Sequence, residues 1–265
     1  MGLLDGKRGV ILGVANDKSI AWACAKACAA EGASLVFNYL GEPLERRVRA
    51  LVDKEIPGSP VFPCDASDDA SIEAFFKSVD GVWDGIDFVV HSLAFAKRED
   101  LKGRFVDTSR AGFALALDVS AYSLVAVTRE AAARMPQGGA VVAMTYYGAE
   151  KVIPHYNVMG VAKAALEASA RYLAADLGPE GVRVNCVSAG PIRTLSSSAI
   201  ADIKTMLDTA QRVAPLRRNT TQDDVGRSMV YLVSDLSAGV TGEVLHVDCG
   251  YNVLGLFGQL PEQPE

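Results

Sequence analysis

The chain has 265 residues, of which 49% are hydrophobic and 22% are charged, a composition that excludes disordered and fibrous proteins. Its 26 Lys and Arg against 32 Asp and Glu give a net charge of −6, without the basic excess typical of nucleic-acid-binding proteins. No run approaches the ~18 to 20 consecutive apolar residues of a membrane span, and the N-terminus has no apolar signal-peptide core, so we expect a cytoplasmic protein without membrane contact.

Seven short apolar runs predict β-strands, at residues 10–12, 35–37, 61–63, 88–90, 140–144, 182–187 and 244–247. Helical patterns lie between them, at 19–31, 42–54, 71–79, 110–134, 157–177, 199–213 and 221–235. This alternation predicts an α/β fold, a Rossmann-type doubly wound parallel sheet flanked by helices. No linker, repeat or charge block divides the chain, so we expect residues 1–265 to form a single domain.

The first predicted strand is followed by Gly13 and by a turn that leads into a helix at Ser19 and Ile20. In doubly wound folds this turn binds the pyrophosphate of a dinucleotide, which needs an unobstructed backbone and the free N–H groups of a helix N-terminus. We therefore expect bulk at Gly13 to obstruct such a ligand and to leave the fold intact. The turn lacks the G-x-G-x-x-G pattern, so an ordinary tight turn explains this segment equally well.

Residues that follow the second and third strands indicate which dinucleotide is bound. No cation precedes Arg46, and Glu42 would repel a 2′-phosphate, which favours NADH over NADPH. After the third strand, Asp65 and Ala66 stand where an adenine edge is hydrogen-bonded in such folds. Capping of the following helix explains the Asp equally well.

Cysteine and histidine usage predicts neither disulfides nor a metal site. The five cysteines form no C-x-x-C pair, and the three histidines are scattered along the chain. We therefore expect packed thiols and no metal.

A tyrosine and a lysine seven residues apart, Tyr156 and Lys163, stand at the start of the predicted helix 157–177. If the helix includes Tyr156, the two side chains lie two turns apart on nearly the same face. Such a pair is mostly accidental on its own. Tyr146, however, follows the strand 140–144, and open α/β sheets bind ligands just beyond the carboxyl ends of their strands. The three side chains are therefore expected to converge on one pocket.

Long stretches of the chain resemble the short-chain dehydrogenase/reductases and, within them, the bacterial enoyl-[acyl-carrier-protein] reductases. The stretches are GVANDKSIAWACAK, VVHSLAFA, YYGAE, IPHYNVMGVAKAALEASARYLAADLGPEGVRVNCVSAGPIRTL and DVGRSMVYLVSDLSAGVTGEVLHVD, from residue 13 to about 248. Carbonyl-reducing members of the larger family have Tyr four residues before the Lys, where this chain has Met159. The wider spacing, with Tyr146 in place of a catalytic Ser, is typical of the enoyl reductases.

The resemblance implies NADH-dependent reduction of the trans-2 double bond of enoyl thioesters on acyl carrier protein, in fatty-acid elongation, by a homotetramer. It implies the catalytic residues Tyr146, Tyr156 and Lys163. Tyr156 would donate a hydrogen bond to the substrate carbonyl, and Lys163 would hold the nicotinamide ribose. A nearby lysine ammonium can also lower the pKa of a tyrosine. Tyr146 would border the substrate and Ala96 its entrance. The positions implied to line the cofactor are Gly13, Ser19, Ile20, Leu40, Asp65, Ala66, Leu93, Lys163, Ile192 and Thr194.

Two other classes of function stay open at this point. The first is a carbonyl or alcohol reductase of the same family, which Met159 makes unfavourable because it occupies the position of the Tyr in those enzymes. A dinucleotide-binding scaffold or redox sensor without catalysis predicts the loss of Tyr156 or Lys163, and both are present.

The segment 194–210 is a candidate lid over the acyl chain. The residues Ile200, Ile203, Leu207 and Ala210 form one apolar helical stripe, which core packing explains equally well. Because carrier proteins are acidic, docking requires nearby cations. Here they are Lys204 within the segment and Arg193, Arg217 and Arg218 beside it. We therefore expect weak, salt-sensitive docking in which Lys204 takes part.

Overall fold

A computed structural model of the chain describes residues 2–194 and 203–255. Within these ranges seven strands form one parallel sheet, in the order β3-β2-β1-β4-β5-β6-β7. The strands are β1 (Arg8–Leu12), β2 (Ser34–Tyr39), β3 (Val61–Pro63), β4 (Phe88–His91), β5 (Gly139–Thr145), β6 (Val182–Ala189) and β7 (Val244–Val247). All seven predicted strands are confirmed, because an apolar run buried on both faces is a strong signal.

The helices of the described ranges follow the predicted order. They are α1 (Ile20–Ala30), α2 (Glu42–Glu55), α3 (Asp69–Asp80), α4 (Arg110–Leu117), α5 (Ser123–Ala132), α6 (Val158–Leu177), α7 (Ile203–Val213) and α8 (Gln222–Val233). The predicted helix 110–134 is interrupted by a π-helical turn, Asp118–Tyr122, which separates α4 from α5. Ile200 and the rest of 195–202 lie outside the described residues, so the lid over 194–210 stays a prediction.

Helices cover both faces of the sheet. The core on one face joins β-strand residues such as Ile11 to side chains of α1, α2 and α8. The core on the other face joins Val10 and Leu12 to side chains of α3, α5 and α6. Neighbouring residues of β1 therefore face opposite layers, as the alternation of side chains along a strand requires. The fold is the predicted doubly wound, Rossmann-type sheet, and its strand order reverses between β1 and β4.

The continuous helical run Arg110–Ala132 has the length and mean hydropathy that a membrane-crossing helix needs. Half of its most apolar window is buried inside the fold, where Leu124 and Val127 pack into the core on the α3, α5 and α6 face. A core helix meets the same criteria of length and composition, so the run is weak support for a membrane span.

The π-helical turn brings two serine hydroxyls to the end of β4. The Phe95 N–H donates to Ser120 Oγ over 2.9 Å, and the Ser120 hydroxyl donates to the Phe95 carbonyl over 3.2 Å. Ser123 Oγ lies 2.9 Å from His91 Nε2. The wide turn therefore fixes both the last residue of β4 and the loop that follows it.

Candidate active site

The turn between β1 and α1 lies at the point where the strand order reverses, and hydrogen bonds within the protein shape it. The Gly13 N–H donates to Oδ1 of buried Asn38 over 2.9 Å. Ser19 Oγ accepts from the N–H groups of Ala15 and Asn16, over 3.0 and 3.1 Å. The turn is thus held in one shape without a ligand, which is the condition for pre-organised anion binding.

The N-terminus of α1 faces this turn with unused donors. The first hydrogen bonds into the helix run from the N–H groups of Trp22 and Ala23 to the Ser19 carbonyl. The N–H groups of Ile20 and Ala21 precede that first bond and have no helical partner. Together with the helix dipole they suit the pyrophosphate of a dinucleotide.

Gly13 is required by the protein's own backbone. Its φ is +98°, and a Cβ built on it would lie 2.1 Å from the Ser92 carbonyl oxygen. The expectation that bulk at Gly13 leaves the fold intact is therefore wrong, because the obstruction is the backbone that follows β4.

The replacement Gly13→Ala is expected to lower the free energy of unfolding by at least about 2 kcal/mol, since left-handed strain and a backbone clash add. Gly58→Ala is the matched control, because Gly58 has a φ of +85° and a Cβ added there would meet no atom of the described residues within 4 Å. Urea denaturation of both variants measures the difference. If both variants lose the same free energy of unfolding and only Gly13→Ala binds NADH more weakly, the role of Gly13 is instead to leave space for the ligand.

The ends of β2 and β3 hold the residues predicted to meet the adenosine. Leu40 is 54% exposed, and Glu42 pairs with Arg46, the first cation after β2. Asp65 Oδ1 accepts from the Ser67 N–H and hydroxyl, over 2.9 and 2.7 Å. The cap of α3 is a different residue, Asp68, which accepts from the Ala70 N–H. Helix capping therefore does not explain Asp65.

Tyr156 lies in a tight turn before α6, and its ring is buried. The helix begins at Val158, close to the predicted start at residue 157, so it does not include Tyr156. Its neighbours His155 and Asn157 have φ values of 63° and 40°, a left-handed backbone on both sides of one residue. Such strain is typical of functional sites. Here it directs the Tyr156 ring inward, where its edge meets Tyr146 with ring centroids 4.9 Å apart at 74°.

Two glycines make room for that ring. A Cβ at Gly148 would lie 2.4 Å from Tyr156 Cδ1, and a Cβ at Gly160 would lie 2.7 Å from the Gly148 carbonyl oxygen. Sequence reasoning missed both glycines, because the contact joins segments that only the fold brings together.

The hydroxyls of Tyr146 and Tyr156 make no hydrogen bond with any residue in the described ranges. Tyr147 differs, since its hydroxyl donates to the Asn252 carbonyl over 3.2 Å. Burial raises the pKa of both Tyr146 and Tyr156 well above the usual value. Desolvation of the phenolate therefore outweighs any lowering of the Tyr156 pKa by Lys163. Both phenols stay protonated and can donate.

Lys163 is buried in the second turn of α6, and its Nζ donates to the Met144 carbonyl over 2.7 Å. Burial lowers the pKa of Lys163 to about 8. One turn later, Glu167 Oε1 accepts from Thr145 Oγ1 over 2.6 Å, and burial raises the pKa of Glu167. The two bonds attach α6 to consecutive residues of β5, directly before Tyr146. The sequence analysis did not identify Thr145 or Glu167. The spacing of Lys163 and Glu167, four residues apart in an apolar helix, places both side chains on one helical face and could have indicated a buried polar pair.

His91 ends β4 and is completely buried near Lys163. The Ser123 hydroxyl donates to the Val119 carbonyl over 2.7 Å, so the bond between His91 Nε2 and Ser123 Oγ has the histidine as donor. Burial and then the Lys163 charge lower the pKa of His91 to about 3, which keeps the ring neutral. Sequence reasoning did not single out this histidine.

Apolar side chains enclose the two tyrosines. A small core contains Leu101, Ala116, Tyr156, Val158, Met159 and Ala162, with Ala96, Leu117, Tyr146 and Ile153 packed against it. Ala96 therefore shares the cluster of the predicted catalytic tyrosines. Leu93 and Ile192 pack instead against the two main cores, and Thr194 closes the first described range.

In the described ranges no three His, Cys, Asp or Glu side chains are grouped closely enough to hold a metal ion. The site instead combines a glycine turn, a helix N-terminus, two free phenols and a buried ammonium. This donor set suits a dinucleotide and a carbonyl-bearing substrate.

The chain matches one family closely. The sequence model of the family described as enoyl-(acyl carrier protein) reductase matches residues 13–252. The enoyl-[acyl-carrier-protein] reductase [NADH] of Rickettsia felis is 54% identical over 254 residues, 96% of this chain and 97% of that protein. The enzyme of the same name from Bacillus cereus is 54% identical over 256 residues, 96% of this chain and 100% of that protein.

Solved structures of the same enzyme superimpose on the fold. The Bacillus cereus enoyl-acyl carrier protein reductase, crystallised with NADP+ and indole naphthyridinone, has a TM-score of 0.95 at 53% identity and covers 97% of this chain and 100% of its own. The reductase of Anaplasma phagocytophilum, in complex with NAD, has a TM-score of 0.92 at 49% identity, with 98% of each chain covered.

Proposed function

Because this chain belongs to the enoyl-[acyl-carrier-protein] reductases of the short-chain dehydrogenase/reductase family, we propose that the pocket around Tyr146, Tyr156 and Lys163 carries the reaction of that family. The enzyme uses NADH to reduce the trans-2 double bond of enoyl thioesters in fatty-acid synthesis. The pair of tyrosines with free hydroxyls is the observation that supports this assignment of the site most directly.

The residues at the β1 and β5 ends fit a bound nicotinamide dinucleotide. The Gly13 turn and the first N–H groups of α1 would hold the pyrophosphate, and Lys163 would hold the nicotinamide ribose. Glu42, already paired with Arg46, would face any 2′-phosphate, which supports NADH over NADPH. When bound, NADH would supply the hydride that adds to the β-carbon of the substrate, and a proton from water would complete the reduction at the α-carbon.

Tyr156 is proposed to bind the thioester carbonyl oxygen, where negative charge develops as the double bond is reduced. Its raised pKa keeps the proton on the phenol, so the residue stabilises this charge as a hydrogen-bond donor and does not ionise. Tyr146 borders the same oxygen and packs on the Tyr156 ring, while Ala96 and Leu101 supply apolar wall. Buried surroundings strengthen these hydrogen bonds, because water competes weakly there.

The assembly and the location of the enzyme are also part of this proposal. We propose a cytoplasmic homotetramer that takes its substrate from acyl carrier protein. Large apolar side chains stay exposed on the outer faces of α4 and α6 and in the π-helical turn, including Phe113, Tyr122 and Tyr172. These faces suit contact with further copies of the chain.

Incubating the purified enzyme with NADH and crotonyl thioester, beside a simple ketone, tests the reaction. We expect loss of nicotinamide absorbance with the thioester and not with the ketone. Oxidation of NADH by the ketone would favour a carbonyl reductase, and no oxidation with either substrate would favour a non-catalytic scaffold.

A further inference from the structure

The loop between β4 and α4 displays an excess of cations beside the pocket. The basic loop, defined as residues 97–110 and thus including the first residue of α4, has five exposed cationic side chains and two exposed acidic ones. The cations are Lys97, Arg98, Lys102, Arg104 and Arg110. None of the five has a salt-bridge partner within the part of the chain that the structure describes. In a protein with a net charge of −6, this is a local field of the opposite sign.

The loop is anchored, although its cations reach solvent. Asp100 is buried against the start of α4, where Gly112 leaves space for its carboxylate. Leu101 packs into the cluster that contains Tyr156, and Asn157 Nδ2 donates to the Gly103 carbonyl over 3.4 Å. The loop therefore presents its charges from a fixed backbone, which reduces the entropy lost when a partner binds.

The same contacts connect the loop to the active-site pocket. Leu101 and Ala96 pack in the cluster that contains Tyr146 and Tyr156, so a partner seated on the loop lies next to those tyrosines. Phe105 and Val106, which are 48% and 70% exposed, add apolar surface between the cations. A mixed basic and apolar surface suits an acidic protein partner.

The cations near α7 are less available. Arg218 is bound by Asp224 through both carboxylate oxygens, over 2.5 and 3.0 Å, and this pair lowers the pKa of Asp224. Arg217 donates to the Arg212 carbonyl. In the first half of α7, residues 203–208, Lys204 is the one cation. The basic loop therefore offers the larger number of uncommitted charges.

We propose that acyl carrier protein docks on the basic loop, with Lys102 and Arg104 at the centre of the contact. This inference rests on the proposed function, because it names the surface that recognises the carrier of the same substrate. The acidic carrier is attracted to the five cations, and its tethered acyl group enters past Ala96 and Leu101 towards Tyr156. Docking is therefore electrostatic and weakens as the ionic strength rises.

The test is a charge reversal, Lys102→Glu/Arg104→Glu, assayed with two substrates. Crotonyl-acyl carrier protein requires docking, whereas the crotonyl thioester of N-acetylcysteamine carries neither a protein nor a phosphate. We expect KM for the carrier-linked substrate to rise by about tenfold or more, with the smaller substrate's kcat/KM unchanged within about twofold. We also expect the salt dependence of the carrier-linked KM to flatten.

The matched control is Arg47→Glu/Lys54→Glu, which makes the same change in net charge on the exposed side of α2. It is expected to leave both substrates unaffected. An equal rise in the control, no rise in the loop variant, or a larger rise in Lys204→Glu would overturn the proposal. If circular dichroism shows that the loop variant is unfolded, Lys97→Glu/Arg98→Glu takes its place with the same expected result.

Failure of the proposed function would give a different result. In that case the unmodified enzyme would reduce neither thioester. If only the docking proposal fails, the unmodified enzyme still reduces the N-acetylcysteamine thioester. The loop variant then has the same KM for the carrier-linked substrate as the unmodified enzyme.

Discussion

Replacing Tyr156 by Phe is expected to lower kcat by about 10- to 100-fold and to leave the dissociation constant for NADH unchanged. One hydrogen bond to a developing oxyanion is worth about 10²–10³ in rate, which sets the upper limit. Tyr146 lies edge-on to Tyr156, with ring centroids 4.9 Å apart, and its free hydroxyl compensates in part. The Phe ring fills the same space between Gly148 and Tyr146, so the fold is unaffected.

Stopped-flow measurement of hydride transfer with crotonyl-acyl carrier protein, and fluorescence titration of NADH, separate the two effects. Tyr147→Phe is the control, because the Tyr147 hydroxyl is bonded to the Asn252 carbonyl and does not share the pocket core. An unaltered rate in Tyr156→Phe would assign the donor role to Tyr146. A further loss in the double variant Tyr146→Phe/Tyr156→Phe would confirm that the two hydroxyls compensate.

The sheet could be predicted from the sequence because its strands are buried on both faces. Runs such as 88–90 and 140–144 contain no polar residue, which is the pattern of short strands covered by helices on both faces. The placement of Tyr146 then follows from topology, since it is the first residue beyond β5. The prediction of a site at this edge of the sheet therefore needed no tertiary information.

The shape of the pocket could not be predicted in the same way. The left-handed backbone at His155 and Asn157 is unusual for residues other than Gly, and no local pattern distinguishes it from the start of a helix. The bond between Thr145 and Glu167 spans 22 positions of the sequence and exists only because α6 packs on β5. The pKa of Tyr156 depends on burial, which raises it and outweighs any lowering by Lys163.

The replacement Lys163→Met is expected to weaken NADH binding by about 10- to 150-fold, the factor for a lost hydrogen bond to a charged group of about 1.5–3 kcal/mol. The variant stays folded, because burying an ammonium costs free energy that a methionine avoids. This gain in stability is offset because the Met144 carbonyl loses the hydrogen bond from Lys163. We therefore expect the unfolding temperature to change little while the affinity falls.

The pH dependence of NADH binding distinguishes this role from a structural one. With a pKa of about 8, Lys163 is charged at neutral pH and loses its proton as the pH rises through that value. In the unmodified enzyme the dissociation constant for NADH should be constant below about pH 7 and should increase between about pH 7 and pH 9. In Lys163→Met it should be constant over the whole range, because the titrating group is gone. Glu167→Gln keeps an acceptor for Thr145 and an intact Lys163, so the pH dependence should remain, with its midpoint moved to lower pH because the Glu167 charge raises the pKa of Lys163. A pH profile that persists in Lys163→Met would assign the titration to another group and remove Lys163 from contact with the cofactor.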